Sequence, residues 1–337
     1  MTNLQPAVWF PAVRCHSGAD SFTERLVAAL NQIGIRAEIT WLPHRTEFAP
    51  WTFPVPQPPS WANIVHINSW LPSQFIPPAL PIVVTLHFCV HDPILKPYKS
   101  FIQALYHRYY IYPREAANLK RAQRIIAVSH YTANKAEMAF GFGPIEIIHN
   151  GVDTVQFAPI LRTAPHHPFR LLYVGNWSAR KGVDLLAPLM KILGQYFELR
   201  YTADRGGQHK QYPLPGNCIN IGRLSVEKLV SAYHEADALL FPSRLEGLPL
   251  TPLEAMACGL PVIAAKTTSL PEVIEHGVTG WLFEQDNLQD FVRNCQKLAA
   301  NPAIWCNMGK LARERAATNF AENEMVTCYR NIYQSLI

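Results

Sequence analysis

The sequence predicts an α/β protein with two doubly wound parallel sheets, each in its own domain. At 337 residues the chain is long enough for two domains of ordinary size. Its hydrophobic content of 49% and charged content of 16% are typical of a globular protein, not a disordered one. Short apolar runs alternate with segments of helical periodicity in both halves. This alternation is typical of parallel sheets covered by helices on both faces.

The alternation is clearest in the second half. "FRLLYVG" (169–175) is predicted to be a buried strand, and "VDLLAPLMKILGQYF" (183–197) has the apolar spacing of a helix. The following segments are the strand "ELRYTA", a Gly-rich turn "DRGG", the strand "NCINIG", the helix "SVEKLVSAYHEA", the strand "DALLFPS", a further helix and the strand "PVIAA". Right-handed crossovers make this order a doubly wound domain.

The first half shows the same order less cleanly. Its predicted elements are the strand "PAVWFPAV", the helix "HSGADSFTERLVAALNQIG" and the strands "RAEITWLP", "NIVHIN", "IVVTLH", "RIIAVS" and "IEIIHNG". We therefore predict two Rossmann-like domains. Their bounds are 1–160 and 168–315, with a helix at 316–337 that packs back toward the first domain. The linker lies at 154–168, which is rich in proline. Since open parallel sheets bind ligands at the carboxyl ends of their strands, the cleft between the domains is the expected site.

Charge and cysteine content limit the partners and the location. A net charge of +5 is too mild to indicate nucleic acid, but it suits an anionic ligand or an acidic membrane surface. Seven cysteines without a C-x-x-C pair indicate reduced thiols. No apolar run reaches the roughly 20 residues of a spanning helix, and the N-terminus lacks the pattern of an export signal. We expect a cytoplasmic protein that can lie peripherally on the cytoplasmic face of the membrane.

The segment "KPYKSFIQALYHRYYIYPREAANLKRAQR" (96–124) mixes basic and aromatic residues. Two interpretations stay open. It is a solvated helical face with aromatic core contacts, or it is a surface that docks on anionic lipid or grips an acceptor.

Two glutamates mark the stretch "SRLEGLPLTPLEAMACGLPVIAA" (243–265), with seven residues between Glu246 and Glu254. Thr251, Pro252 and Glu254 predict a capping box with proline at the first helical position. Glu246 follows a strand at the carboxyl edge of the sheet, and the sequence gives it no structural task. The helix that begins near Thr251 presents free N–H groups to an anion. A carboxylate beside a helix N-terminus predicts a pocket for a ligand with hydroxyls and phosphates, such as a nucleotide sugar.

This stretch, followed by "LPEVIEHGVTGWLFE", resembles the retaining nucleotide-sugar glycosyltransferases of the GT-B fold, specifically glycosyltransferase family 4, whose signature is E-x7-E in this setting. The resemblance extends to "IIAVSHYTANKAEMAFGFGPIEIIHNGVDTVQF" (125–157), to "LLYVGNWSARKGVDLL" (171–186) and, more faintly, to "IVVTLHFCVHD" (82–92). It covers most of the chain from about residue 80 onward.

The resemblance implies a role for each matching residue. Glu246 holds hydroxyls of the donor sugar near its anomeric centre, Glu254 holds the ribose hydroxyls, and Lys181 neutralises the diphosphate. His87, at the end of "IVVTLH", lies close to the reacting sugar. Backbone groups complete the donor contacts: those for sugar and diphosphate lie around Leu248, Leu250 and Thr251, and those for the base lie near Gly222, Arg223 and Leu224.

The chain departs from the family pattern at three places. Asn176 stands where family members usually carry arginine, and Arg180 is the candidate for the missing second cation. Pro249 replaces a glycine found in many relatives, which stiffens the sugar loop and removes one donor. The N-terminal Gly-rich loop is reduced to "HSGAD", which leaves Gly18 as the candidate for approach to the phosphate.

The resemblance implies transfer of a sugar from a UDP- or GDP-sugar to a hydroxyl acceptor, such as a glycan or a lipid-linked glycan, with formation of an α-glycosidic bond. No acidic residue is placed as an obvious nucleophile, so displacement on the same face is expected. A metal site at His87, His91 and Asp92 is disfavoured because no helix is predicted under that spacing. We expect no metal and no cofactor. The alternatives are a GT-B-fold epimerase of nucleotide sugars and a binding module that has lost turnover.

Overall fold

The computed structural model describes residues 5–204 and 211–337. Within these ranges the chain forms two compact units. Unit 1 comprises the residues up to Asn150 together with Asn323–Ile337, and unit 2 comprises Gly151–Glu322. Each unit contains one six-stranded sheet in which all paired strands run parallel. The predicted fold class, two doubly wound α/β units, is confirmed.

The sheet of unit 1 has the strand order β2-β1-β3-β4-β5-β6. A π-helical turn at His107–Ile111 joins the helices α2 and α3. The elements in chain order are β1 (Ala7–Val13), α1 (Gly18–Gln32), β2 (Arg36–Leu42), β3 (Ile64–Asn68), β4 (Ile82–Leu86), α2 (Phe101–Tyr106), α3 (Tyr112–Arg121), β5 (Arg124–Ala127), α4 (His130–Phe140) and β6 (Glu146–Ile147).

The sheet of unit 2 has the order β12-β11-β10-β7-β8-β9. Its elements are β7 (Phe169–Tyr173), α5 (Leu186–Leu193), β8 (Phe197–Tyr201), β9 (Cys218–Asn220), α6 (Val226–Glu235), β10 (Ala238–Phe241), α7 (Leu250–Ala257), β11 (Val262–Ala265), α8 (Leu270–Val273), β12 (Gly280–Phe283), α9 (Leu288–Ala299) and α10 (Pro302–Asn319). The sequence did not predict β12 or the two helices after it. The predicted Gly-rich turn "DRGG" lies, apart from Asp204, outside the described residues.

The core of unit 1 has two layers because successive strand residues point to opposite faces. Val8 and Phe10 of β1 pack on one face, against α1, while Trp9 packs on the other. The last helix, α11 (Glu322–Gln334), belongs to the first of these layers and contributes Tyr329 and Tyr333 to it. Unit 1 is thus completed by a segment that follows all of unit 2 in the chain.

Each sheet has one position at which the strand order reverses. In unit 2 it lies between β7 and β10, and in unit 1 between β1 and β3. Open parallel sheets bind their ligands at this switch point, beyond the carboxyl ends of the strands. The loops that follow these four strands therefore contain the candidate sites. No helix in the described part of the chain is long and apolar enough to cross a membrane.

Candidate active site

At the switch point of unit 2, two predicted site residues form an ion pair. Lys181 Nζ lies 2.5 Å from Glu246 Oε1, and the two side chains are only 16% and 9% exposed. Ser243 Oγ donates a hydrogen bond to the same carboxylate oxygen over 2.5 Å. The expectation that Glu246 has no structural task is therefore wrong, since its carboxylate joins the loop after β7 to the loop after β10.

A glycine allows these two loops to touch. Gly182 follows Lys181 with a φ of 72°, in the left-handed region that glycine adopts without strain. A Cβ at this position would overlap the backbone carbonyl of Pro242, in the loop after β10. Glycine at position 182 therefore fixes where Lys181 lies relative to Glu246.

The sequence analysis missed Arg244, a buried arginine between the two loops. Its two terminal nitrogens each donate to one carboxylate oxygen of Asp184 over 2.7 Å, and Nε donates to Asp286 over 2.7 Å. It also donates to the carbonyl oxygen of Ala179, within the turn that carries Lys181. Hydrogen bonds to Asp184, opposed by partial burial, raise the pKa of Arg244 above its usual value. The sequence feature that could have identified Arg244 is its position, shortly after a predicted buried strand and two residues before Glu246.

The two residues discussed as replacements for the family arginine are placed differently. Arg180 is half-buried and donates from Nη1 to the carbonyl oxygen of Leu245 over 2.8 Å. Asn176 is exposed, and its backbone oxygen accepts from the Tyr173 hydroxyl over 3.1 Å. Arg180 is thus attached to the loop that carries Glu246.

Helix α7 begins at Leu250, with Pro249 as its extended N-terminal cap residue. Proline has no side-chain hydrogen-bonding group, and Thr251 and Pro252 lie inside the helix. The predicted capping box is therefore wrong. Glu254 is buried and accepts a hydrogen bond from the Tyr233 hydroxyl of α6 over 3.0 Å. That contact, between side chains on two helices, fixes one oxygen of the carboxylate.

The remaining predicted donor contacts surround these residues. Leu248 is buried, whereas Leu250 and Thr251 at the start of α7 are half-buried. Leu224 is half-buried and Arg223 is exposed, 2.6 Å from Asp204. Both precede α6, the helix that supplies the hydroxyl bound to Glu254. Gly222 beside them has a φ of 74°.

The switch point of unit 1 is arranged around Asp20. This buried carboxylate accepts from the backbone N–H groups of Cys15 over 2.9 Å and of His16 over 2.8 Å, and from Ser17 Oγ over 3.0 Å. Gly18, the first residue of α1, has open space where a side chain would begin. The backbone N–H groups of His16, the first residue of the loop "HSGAD", and of Cys15 before it are thus bound to a carboxylate of the protein itself.

His87 follows β4 and is half-buried, with Nε2 3.0 Å from Asn68 Oδ1 at the end of β3. Burial lowers the pKa of His87 to about 4, so the ring is neutral near pH 7 and donates to Asn68 through Nε2. Behind it, His66 is bound to Tyr333 Oη over 2.6 Å and to Thr85 Oγ1 over 2.7 Å. Burial lowers the pKa of His66 to about 3.

Asn68 also lines a small cavity of about 20 Å³, together with Cys15, Glu47 and Trp70. Such a volume accommodates a water molecule.

Potential metal ligands in unit 1 have other partners. His91 lies 2.6 Å from Glu115, and Asp92 caps the turn at Ile94 and lies 3.7 Å from Lys135. The disfavoured metal site at His87, His91 and Asp92 thus gains no support from the geometry. Among the described residues of unit 1, Cys15, His44 and Glu47 place ligand atoms within 4.8 Å of one another. Burial raises the pKa of the Cys15 thiol to about 12, which disfavours the thiolate that a metal needs.

The comparison with solved structures gives the class of protein. Sucrose-phosphate synthase from Thermosynechococcus elongatus superimposes with a TM-score of 0.81 at 20% sequence identity, over 98% of this chain and 99% of that one. HepE from Anabaena, in complex with UDP and glucose, gives a TM-score of 0.73 at 15% identity, over 98% of this chain and 100% of that one. With such neighbours, the two doubly wound units define a GT-B fold.

The family follows from the sequence comparisons. The family described as glycosyl transferases group 1 matches residues 162–315, and glycosyltransferase family 4 matches residues 16–156. The amylovoran biosynthesis glycosyltransferase AmsK of Erwinia amylovora is 30% identical over 209 residues, which are 57% of this chain and 50% of AmsK. The chain belongs to the GT-B glycosyltransferases of family 4. Its match spans 60% and 62% of the length of two further curated relatives.

Proposed function

We propose that the protein transfers a sugar from a nucleoside diphosphate sugar, UDP- or GDP-linked, to a hydroxyl of a glycan or lipid-linked acceptor. The transfer retains the configuration of the sugar and forms an α-glycosidic bond. The observation that carries the proposal is the Lys181–Glu246 pair at the switch point of unit 2. HepE, a GT-B neighbour, binds UDP and UDP-glucose, which supports a donor of this class.

Donor binding exchanges the partners of this ion pair. Lys181 and Glu246 neutralise each other over 2.5 Å. A diphosphate near Lys181 competes for the ammonium, and the carboxylate is then available to hydroxyls of the donor sugar. The N–H groups of Leu250 and Thr251, at the start of α7, add positive potential for the diphosphate. The pair thus holds a cation and a carboxylate ready in a site from which water is largely excluded.

In the reaction the bond between the anomeric carbon and the diphosphate oxygen breaks, and a bond to the acceptor oxygen forms on the same face. Lys181 and the N-terminus of α7 stabilise the charge that develops on the leaving diphosphate, a contribution typical of fixed electrostatic groups. The acceptor proton passes to a leaving phosphate oxygen. These protein groups supply the positive charge, so we propose that no metal is required.

The other predicted residues complete the proposal. Glu254 binds the ribose hydroxyls with the carboxylate that Tyr233 orients. Arg180 and Asn176 lie on the diphosphate side, and Arg223 and Leu224 lie near the base. In unit 1, the neutral His87 contacts the reacting sugar and Gly18 leaves space for its phosphates. Unit 2 is the donor domain and unit 1 the acceptor domain. The cytoplasmic location stays a prediction.

The test is incubation of the purified protein with a panel of UDP- and GDP-sugars in excess EDTA. We expect one donor to raise the melting temperature by mass action and to be hydrolysed. At an enzyme concentration high enough for hydrolysis to outrun mutarotation, NMR should show the α configuration of the released sugar. Release of the inverted sugar would contradict retention, and an epimerised nucleotide sugar would indicate the epimerase alternative. Binding without turnover, with acceptors supplied, would indicate a binding module. Activity that needs added manganese or magnesium would contradict metal independence.

A further inference from the structure

Helix α2 presents large apolar side chains to solvent. Phe101 is 77% exposed, Ile102 78%, and Tyr109, in the π-helical turn that follows, 67%. Leu105 between them is 40% exposed. Leu105 lies one turn after Phe101 and Ile102, and Tyr109 lies one turn after Leu105. The four residues therefore share one helix face, and we call them the α2 surface. Single exposed apolar residues are ordinary, but a continuous group on one helix face marks an interaction site.

This helix is held in place without burying the α2 surface. None of the six residues of α2, all of which the structure describes, is buried. Ser100 and Gln103 form a capping box at its start. Tyr106 and Tyr110 point to the other side, where their rings stack at 5.0 Å and Tyr110 Oη donates to the carbonyl oxygen of Phe48 over 2.8 Å. Of the two interpretations that the sequence left open, aromatic core contacts therefore describe these tyrosines but not the α2 surface.

Further exposed aromatic residues lie in the turn that packs on the tyrosine side of the helix. The ring of Phe48 lies 5.5 Å from that of Tyr106, and Phe48 is half exposed. Trp51, three residues further along this turn, is 74% exposed. Exposed phenylalanine and isoleucine on one helix, with an exposed tryptophan in the same unit, are the composition of a membrane-interface anchor.

The same segment carries the positive charge of the whole protein. Residues 96–124 contain seven lysines and arginines and one acidic residue, Glu115, which gives +6, whereas the full chain is +5. All other residues together thus have a charge of −1. Glu115 is buried, where it binds Ser69 and His91, and so it does not face the cations at the surface. Three of the seven cations are half-buried and bound to other protein groups, and the other four are exposed. Arg108, one of the exposed four, lies beside the α2 surface, and its guanidinium is 5.5 Å from the Tyr109 ring.

We propose that the α2 surface docks the protein on a bilayer that contains anionic lipids. The apolar side chains enter the boundary between headgroups and acyl chains, and the surrounding cations bind the lipid phosphates. A protein partner would also cover an apolar helix face, but the concentration of charge in this segment complements an anionic surface. The inference deepens the proposed function and rests on it in one respect: it commits the acceptor to a lipid-linked one, presented at the membrane.

The test is flotation with vesicles of phosphatidylcholine alone or mixed with phosphatidylglycerol in equal parts. We expect binding only to the mixed vesicles, and weaker binding at high salt. The double variant Phe101→Ser, Ile102→Ser is expected to bind at least about tenfold more weakly, since two side chains no longer transfer from water. Met138→Ser, an equally exposed residue on α4 of the same unit, is the matched control and should bind like wild type.

A charge variant separates the electrostatic contribution. Arg108→Glu should weaken binding about 25-fold, because the substitution changes the charge by two and about fivefold is expected per surface charge. Lys310→Glu, exposed on α10 of unit 2, should have little effect. Equal binding of the α2 variants and wild type, or equal binding to both vesicle types, would overturn the proposal. It would also fall if wild type were a dimer in solution that the α2 variants convert to monomers, because a second copy would then cover this face.

Donor hydrolysis in solution keeps the two proposals distinguishable. The α2 variants should hydrolyse the donor at the wild-type rate and fold with the wild-type melting temperature. A protein that docks on vesicles but hydrolyses no donor would contradict the proposed function and not the docking surface. A protein that hydrolyses the donor but does not bind vesicles would contradict the docking surface and not the proposed function.

Discussion

The two switch points follow the same topological rule but carry different chemistry. In unit 2, opposite charges from separate loops meet: Lys181 pairs with Glu246, and Arg244 binds two aspartates. In unit 1, Asp20 is turned onto the backbone of its own loop, and the pKa of His87 is lowered by burial so that the ring is neutral. The difference indicates where charge can be exchanged with a ligand. Under the proposed function, unit 2 offers a cation to a diphosphate, and unit 1 offers neutral hydrogen-bonding groups.

The largest effect is expected from Lys181→Ala. If charge at the unit 2 switch point stabilises the leaving diphosphate, kcat should fall about 10²-fold to 10³-fold, the range for removal of one fixed electrostatic group. Steady-state kinetics with the preferred donor measures it. Lys191→Ala, exposed on α5, is the control. Near-normal turnover of Lys181→Ala would move the role to Arg180.

Arg244→Ala tests whether the loops of unit 2 need their buried cation. Removal leaves the carboxylates of Asp184 and Asp286 without their partner, but both are partly exposed to solvent, and we expect a loss of about 2 kcal/mol in the free energy of unfolding. Arg244→Lys keeps the charge but not the paired hydrogen bonds, so its loss should be smaller. Chemical denaturation measures both. If Arg244 positions Lys181, Arg244→Lys should also have a lower kcat, while the free energy of unfolding of unit 1 stays unchanged. A wild-type kcat in Arg244→Lys would show that Arg244 contributes to stability and not to catalysis.

Unit 1 should show a pH dependence that comes from its neutral histidines. The pKa of His66 is about 3 in the folded protein, below the value of 6.5 for an unperturbed histidine, so the unfolded state binds the proton first. Stability is therefore complete above pH 6.5 and is lost as the pH falls toward 3, by about 2 kcal/mol at about pH 5. His66→Gln should reduce this slope in melting experiments, while His167→Gln, at an exposed position, should not. Equal slopes in both variants would refute the assignment to His66.

Glu246→Gln measures how much the ion pair contributes to folding. Local sequence patterns predict no structural partner for Glu246 and hence no change in melting temperature. The contacts with Lys181 and Ser243 instead predict a loss of about 1 to 2 kcal/mol along with lower turnover. The double variant with Lys181→Ala should lose less stability than the sum of the two single variants. Additive losses would show that the pair is not coupled.

The smallest effect concerns the hydrogen bond between Tyr233 and Glu254. Tyr233→Phe should cost about 1 kcal/mol of stability and weaken donor binding, since the carboxylate is no longer oriented. Glu254→Gln should also weaken donor binding. Calorimetric titration of the donor measures both, with the exposed Tyr196→Phe as control. Unchanged donor affinity in both variants would remove Glu254 from the ribose site.

Local patterns predicted most of the fold, because strand and helix periodicity is a property of consecutive residues. They failed where tertiary contacts decide. Helix α7 begins one residue before Thr251, since the preceding loop is fixed by contacts of Glu246 rather than by a cap. The partner of Glu246 is 65 positions away, beyond any local pattern. Whether Phe101 is buried or exposed also depends on which elements pack against its helix. The sequence alone therefore could not decide between aromatic core contacts and a docking surface.

The position of α11 has a consequence for the order in which the protein is made. The residues of α11 that fill the core of unit 1, Tyr329 and Tyr333 among them, leave the ribosome only after the whole of Gly151–Glu322. Domains usually fold during synthesis in chain order. In this protein the synthesis of unit 2 is complete before that of unit 1. Until α11 has been synthesised, one face of the sheet of unit 1 stays partly uncovered. Nascent chains of this protein are therefore expected to depend most on chaperones for the unit that is synthesised earliest.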